Sequence, residues 1–157
     1  MNNIEILVDA DSCPVKNEIY KVALRHQIPV KIIANSFMKV SASSLVELVV
    51  VSDDFDAADD YIAEKASEHS EAGKKCLVVT SDIPLAARCI KARALVLAPN
   101  GKPFTENSIG QALATRAIME DMRAGGENIG GPPPFSKNDR SKFLSSLHEQ
   151  LLTLKKH

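Results

Sequence analysis

The chain has 157 residues, of which 45% are hydrophobic and 25% charged, with a formal net charge of −1, values typical of one soluble globular domain. Three cysteines without CxxC spacing predict neither a disulfide framework nor a zinc site. Since no apolar run reaches the roughly 18 residues of a membrane span, and Glu5 and Asp9 interrupt the stretch that a signal peptide needs, we expect a cytoplasmic protein with no membrane association.

Short apolar runs rich in β-branched residues alternate along the chain with longer helical patterns. This alternation predicts βαβ units and a parallel sheet. The predicted strands span 4–8, 30–34, 46–51, 76–80 and 94–98, and the predicted helices span 14–27, 56–69, 84–92, 105–123 and 139–154. We therefore predict a single α/β domain over 1–157, Rossmann-like, with a mostly parallel five-stranded sheet flanked by helices. A doubly wound order 3-2-1-4-5 would make the first and fourth strands neighbours.

The C-terminal part divides into an irregular loop and a helix. Residues 124–138 contain four glycines and three prolines, which exclude regular structure, and residues 125–138 could fold over the sheet edge as a lid. The helix at 139–154 carries an apolar stripe that must pack on the domain or form a homodimer face. Its members are Phe143, Leu144, Leu147, Leu151 and Leu152.

Three aspartates follow two of the predicted strands. Asp9 and Asp11 stand where the first strand ends, and Asp82 follows the fourth. Ligands of an open parallel sheet bind outside the carboxyl ends of its strands, so these carboxylates could converge. Two like charges about 4 Å apart repel by roughly 4 kcal/mol at an effective dielectric near 20. A cation removes that cost, and oxygen ligands of this kind suit Mg²⁺ or Mn²⁺.

Helix capping is the alternative interpretation of these aspartates. Asp11 or Ser12 could cap the helix that opens near Pro14, and Asp82 could cap the helix that opens near Pro84. Asp9 comes one residue too early to be needed as a cap.

Five more aspartates lie between the third strand and its helix. They are Asp53, Asp54, Asp56, Asp59 and Asp60. Some of them are ordinary charges favoured by a helix N-terminus. Asp56 and Asp59, three residues apart, share a helical face and are the best candidates for a further metal ligand.

Polar and basic residues near the same edge are candidates for substrate binding. Asn35 and Ser36 follow the second strand on the edge that carries Asp9, Lys16 lies one turn after the acidic pair, and Arg116 and Arg123 are seven residues apart on one helix. For each basic residue the alternative is a solvated surface charge.

Four separated motifs resemble one family closely. They are VDADSCPVKNEI at 8–19, FDAADDYI at 55–62, VVTSDIPLAAR at 78–88 and GGPPPFSKNDRSKF at 130–143. In order, they are similar to the bacterial YaiI/YqxD family, an uncharacterised group placed among the PIN-like domains. The resemblance implies a PIN-like fold related to Mg²⁺- or Mn²⁺-dependent ribonucleases. It implies that Asp9 matches the first acidic residue of that fold, Asp82 a later one, and Asp56 or Asp59 the middle one.

The leading hypothesis is a divalent-metal-dependent hydrolase of phosphodiesters, with RNA as the favoured substrate. In this hypothesis Asp9, Asp11 and Asp82 bind cations that activate water. A second hypothesis is a phosphatase of the haloacid dehalogenase type, with Asp9 as nucleophile, Asp11 as acid and Ser36 holding the phosphate. The Gly-Thr expected after its D-x-D motif is missing. A third is a non-catalytic module that binds RNA or a protein.

Overall fold

The computed structural model describes residues 3–11, 13–54, 56–126 and 135–156. Within these parts, six strands and five helices follow one another along the chain. The strands are β1 (Ile4–Asp9), β2 (Val30–Ala34), β3 (Val46–Val50), β4 (Lys75–Val79), β5 (Leu95–Leu97) and β6 (Pro103–Phe104). The helices are α1 (Lys16–His26), α2 (Ala57–Glu71), α3 (Ile83–Lys91), α4 (Glu106–Ala124) and α5 (Lys137–Lys156).

The strands form one sheet in the order β3-β2-β1-β4-β5-β6. The pairings from β3 through β5 are parallel, which confirms the predicted α/β class and the order 3-2-1-4-5. The sequence did not predict β6, a two-residue strand antiparallel to β5 at the sheet edge. Its Pro103 is tolerated there because an edge strand need not donate on its outer side.

Two apolar cores cover the two faces of the sheet. Alternation along β1 sends Ile6 and Val8 to one core and Leu7 to the other. The first core receives the buried side chains of α1 and α5, and the second receives those of α2, α3 and the start of α4. Since Asp9 has the same parity as Leu7, its side chain belongs to the face that α2 and α3 cover.

The apolar stripe of α5 packs on its own domain. Phe143, Leu147 and Leu151 are fully buried in the core beneath α1. Leu144 and Leu152 remain 37% and 40% exposed. Burying the stripe therefore does not require a second copy of the chain.

Two helices begin two residues away from their predicted starts, and the other three begin within one residue of theirs. α1 starts at Lys16 rather than near Pro14, and the Lys16 ammonium donates to the carbonyls of Ala10 (3.0 Å) and Cys13 (2.9 Å), which fixes the preceding turn. α5 starts at Lys137 rather than at Asp139. The Asp139 carboxylate accepts from the Ser136 amide (2.9 Å), and the Asp139 amide donates to the Ser136 hydroxyl (3.1 Å), a reciprocal N-terminal cap.

Most of the lid predicted over 125–138 lies outside the described residues, which resume at Phe135. Among the helices that the structure describes, none has the length and apolarity to cross a bilayer.

Candidate active site

An acidic cleft opens at the carboxyl ends of β1, β2 and β4. Its volume is about 640 Å³. The ends of strands β1, β2 and β4, the segment before α2, and the first turns of α2 and α3 supply most of its wall, and α4 supplies one side chain. The lining residues are Asp9, Asp11, Asn35, Asp53, Asp54, Asp56, Ala58, Asp59, Ser81, Asp82, Pro84 and Arg116. Every residue predicted as a metal ligand lies in this wall.

Asp9 is the buried carboxylate of the cleft. It ends β1, is 8% exposed, and accepts a hydrogen bond of 2.8 Å from the Thr80 hydroxyl. Burial raises the pKa of Asp9 from its ordinary value of 3.8 to about 6. The Thr80 hydrogen bond opposes that rise, while the negative charges of Asp59, Asp11 and Asp82 add to it. Asp9 therefore takes up a proton at a higher pH than an ordinary aspartate does, unless a positive charge lies nearby.

Thr80 connects the two halves of the acidic site. Its hydroxyl donates to Asp9 Oδ2 and accepts from the backbone amide of Asp82 at 3.0 Å. The parallel pairing of Val8 with Val79 brings position 80 beside position 9. Sequence reasoning missed Thr80 because it reads as the last residue of an apolar strand, and the predicted neighbourhood of the two strands was the signal that could have found it.

Asp82 has two roles in the structure. Its Oδ1 accepts from the Leu85 amide at 3.0 Å and caps α3, which confirms the capping interpretation, and its side chain also lines the cleft. Asp11 behaves differently. The N-cap of α1 is Val15, with no side-chain cap, so the prediction that Asp11 caps this helix is wrong, and the exposed Asp11 faces the cleft. Ser12, the other predicted cap, lies outside the described residues.

The aspartates around the start of α2 separate into two groups. Asp53, Asp54, Asp56 and Asp59 line the cleft, whereas Asp60 pairs with Arg88 at 2.9 Å. Two of the cleft-lining members, Asp56 and Asp59, have further features. Asp56 occupies the left-handed region (φ 71°) and makes no side-chain cap, a conformation that costs free energy and is often retained at functional sites. Burial, then the charges of Asp82 and Asp56, raise the pKa of Asp59.

The donors of this cleft fit a hard cation in their chemistry. They are carboxylate oxygens, the ligands that Mg²⁺ and Mn²⁺ prefer. In the described parts of the chain, no three His, Cys, Asp or Glu side chains are grouped closely enough to enclose an ion. Mg²⁺ does not require such a cage, because it usually keeps several waters and binds one or two carboxylates together with substrate phosphate.

The residues predicted to bind substrate divide between the cleft and other surfaces. Asn35 and Arg116 line it, and Asn35 Nδ2 donates to the Ser52 carbonyl at 2.9 Å. Arg123 lies in an adjoining groove between α3 and α4. Ser36 and Lys16 are not among the lining residues, and the Lys16 ammonium is held by the two carbonyls of its own loop.

Comparison with known proteins gives consistent matches over almost the whole chain. The model described as "Uncharacterized BCR, YaiI/YqxD family" matches residues 7–153. A UPF0178 protein of Sphingopyxis alaskensis is 60% identical over 152 residues, which cover 96% of this chain and 95% of its own. The UPF0178 protein bll3966 of Bradyrhizobium diazoefficiens is 55% identical (93% and 84% covered), and one from Nitrobacter winogradskyi is 50% identical (99% and 96% covered). No solved structure matches.

Proposed function

The chain belongs to the YaiI/YqxD family, and we propose that it is a divalent-metal-dependent hydrolase of phosphodiesters that acts on RNA. One observation carries the proposal: seven aspartates from separate parts of the chain line one cleft at the carboxyl end of a parallel sheet, the usual ligand edge of such sheets. That much negative charge is costly in one cavity unless a cation is bound there. Fold alone would not justify a function, so the proposal rests on this cleft.

Asp9, Asp11 and Asp82, with Asp56 and Asp59 beside them, would hold Mg²⁺ or Mn²⁺. When bound, such a cation lowers the pKa of water and stabilises negative charge at phosphorus. The protein's own contribution is position. Thr80 orients Asp9 by its hydroxyl, and the cap contact with Leu85 orients Asp82.

Calorimetric titration with Mn²⁺ tests the metal site. Wild type should bind, and Asp9→Asn should lose at least tenfold in affinity, because it removes a charged oxygen donor from the cleft. Asp121→Asn is the matched control, since Asp121 is exposed on α4 and does not line the cleft. No binding to wild type, or equal binding by both variants, would reject the metal site.

Cleavage of a labelled single-stranded RNA tests the activity. Wild type should cut it in Mn²⁺ or Mg²⁺, EDTA should abolish the cut, and Asp9→Asn should be at least a hundredfold slower. RNA left intact by the metal-loaded protein would contradict the proposal.

The two other hypotheses predict different results in the same experiments. A phosphatase of the haloacid dehalogenase type would form a trappable aspartyl-phosphate on Asp9. The position of Ser36 outside the cleft lining gives that hypothesis no support. A non-catalytic module would bind RNA without cleavage, and its binding would be indifferent to chelator.

A further inference from the structure

Phe37 is an aromatic, solvent-exposed side chain two residues beyond the wall of the acidic cleft, and like Ser36 it is not itself a lining residue. It is 82% exposed, more than any other large hydrophobic residue in the described parts of the chain. It follows Asn35, a wall residue of the cleft, by two positions, so the two Cα atoms are at most about 7.6 Å apart. An exposed aromatic ring at this position offers a flat face on which a ligand could stack.

The exposure of Phe37 does not come from a loosely held loop. Before it, the Asn35 amide is bonded to the Ser52 carbonyl. After it, Met38 and Val40 pack against the core that α1 covers. The segment is thus anchored on both sides of Phe37, from which the exposed ring projects. A flat ligand that stacks on the ring would have to order little more than the two side-chain torsions of Phe37.

The opposite rim of the cleft carries the positive charge. Among the residues described, Arg116 is the one cationic side chain in the cleft wall, and it also lines the groove between α3 and α4 that contains Arg123. Arg116 is 49% exposed and pairs with Glu120 at 3.2 Å. An exposed i,i+4 pair contributes only about 0.3–0.5 kcal/mol, so a phosphate could readily replace Glu120. Ile83 and Met119 give the groove an apolar floor.

We propose that the cleft accepts a single-stranded polynucleotide, with one base stacked on Phe37 and the phosphates beyond the cleft held by Arg116 and Arg123. The proposal deepens the proposed function and rests on it for the nature of the substrate. Stacking on a side chain requires a base whose face is free, which a single strand offers and a duplex does not. Seven residues of helix separate the two arginines by about 10 Å, so they would contact different phosphates.

The absence of tryptophan from the chain provides a direct test of the stacking position. In Phe37→Trp, the introduced indole should be quenched by a single-stranded RNA oligomer in Mg²⁺ and remain unquenched with the corresponding duplex. Leu24→Trp is the control, because Leu24 is also exposed (38%) but lies on α1, across the sheet from the cleft. Equal quenching in both variants, or none in Phe37→Trp, would overturn the proposal.

Affinity measurements extend the test to the native side chain. Phe37→Ala should weaken single-strand binding about tenfold, and Phe37→Tyr should restore it, since base–aromatic stacking does not depend on the particular ring. Arg116→Gln and Arg123→Gln should each lower the slope of log affinity against log salt by about 0.7, the value for one phosphate contact of a single strand. Arg25→Gln, on the exposed side of α1, should leave the slope unchanged.

Binding and cleavage separate the two proposals. If single strands quench the fluorescence of Phe37→Trp but wild type cuts no RNA, the hydrolase proposal fails and the proposed single-strand binding site stands. If RNA is cut equally well by wild type and Phe37→Ala, and the arginine variants keep the wild-type salt slope, the proposed binding site fails and the hydrolase proposal stands.

Discussion

Among the aspartates of the cleft, Asp9 is the most buried, and burial together with neighbouring charges raises its pKa. Its carboxylate has little water around it and faces three other carboxylates. The Thr80 hydroxyl is its one side-chain hydrogen-bond donor among the contacts of the described residues. One hydrogen bond therefore holds the side chain in position, while burial and the neighbouring charges destabilise its ionised form.

Replacing Asp9 should stabilise the metal-free protein at alkaline pH. The pKa of Asp9 in the folded chain, about 6, lies above its ordinary 3.8, so the folded state binds the proton more tightly. The free energy of unfolding therefore falls as pH rises from about 4 to 6, and stays lower above that. The side chain of Asp9→Asn cannot ionise. The free energy of unfolding of this variant should therefore be up to roughly 3 kcal/mol higher than that of wild type at about pH 8, and little different at about pH 4.

Urea unfolding in EDTA at the two pH values measures this difference. Asp121→Asn serves again as the control and should stay within about 0.5 kcal/mol of wild type at both. A gain of stability in Asp9→Asn that is the same at both pH values would show that ionisation of Asp9 is not its cause.

Thr80 should be needed for its hydroxyl rather than its shape. Thr80→Val keeps the branched outline but removes the donor to Asp9 and the acceptor of the Asp82 amide. We expect a loss of roughly 1–3 kcal/mol in unfolding free energy and a further rise in the pKa of Asp9, followed by NMR of its side-chain carboxyl. Thr80→Ser should retain both contacts and most of the stability, and if serine proved as harmful as valine, the hydroxyl would not be the reason.

At the scale of elements, α3 serves the fold and the cleft with the same residue. Asp82 ends the connection from β4, caps α3 through Leu85, and contributes its charge to the cleft wall. The two roles need different properties of the side chain. Capping needs an oxygen acceptor, which asparagine also offers, while binding a hard cation needs the negative charge.

Two substitutions of Asp82 should therefore separate stability from metal binding. The free energy of unfolding of Asp82→Asn should stay within about 0.5 kcal/mol of the wild-type value. That of Asp82→Ala should be roughly 1 kcal/mol lower, because the α3 cap is gone. Both should bind Mn²⁺ more weakly in calorimetry. Wild-type affinity for Mn²⁺ in Asp82→Asn would remove Asp82 from the set of ligands.

The turn before β6 should be sensitive to a single methyl group. Gly101 has φ 90°, and a Cβ there would lie 2.8 Å from the Lys142 carbonyl carbon and 2.9 Å from the Phe143 amide nitrogen. Gly73 has a similar φ of 72° but open space around it, with no described atom within 4 Å. Gly73→Ala should cost about 1 kcal/mol, the penalty of a left-handed alanine. Gly101→Ala should cost at least about 3 kcal/mol by urea unfolding, since α5 must also move. Equal costs would mean that the close contact with α5 is easily relieved.

The sequence predicted the elements that are determined by patterns of residues close together in the chain. Apolar β-branched runs marked the first five strands, and their alternation with helices indicated the parallel order. β6 was missed because two residues containing a proline carry no periodic signal. The start of α1 was misplaced because the Lys16 contacts that fix the turn are made by a side chain whose target depends on the folded loop. Thr80 was missed because its partner lies 71 positions away, and the exposure of Phe37 depends on the packing of its neighbours.

At the scale of the whole molecule, the two faces of the sheet are completed by parts of the chain at very different separations. The face that carries the cleft is covered by α2, α3 and the start of α4, which are consecutive helices separated only by strands of the same sheet. The other face is covered by α1 and α5. Contacts between these two helices join residues more than a hundred positions apart, such as His26 with His148 (2.9 Å) and Arg140 with Glu18 (3.2 Å).

This pairing of an early helix with a late one has a consequence for biosynthesis. While the ribosome is still making the second half of the chain, α1 has no helix beside it, and Ile19 and Val22 stay partly uncovered until residues 137–156 have emerged from the exit tunnel. The nascent protein therefore exposes an unfinished hydrophobic surface from the synthesis of α1 until α5 has been released and can pack beside it.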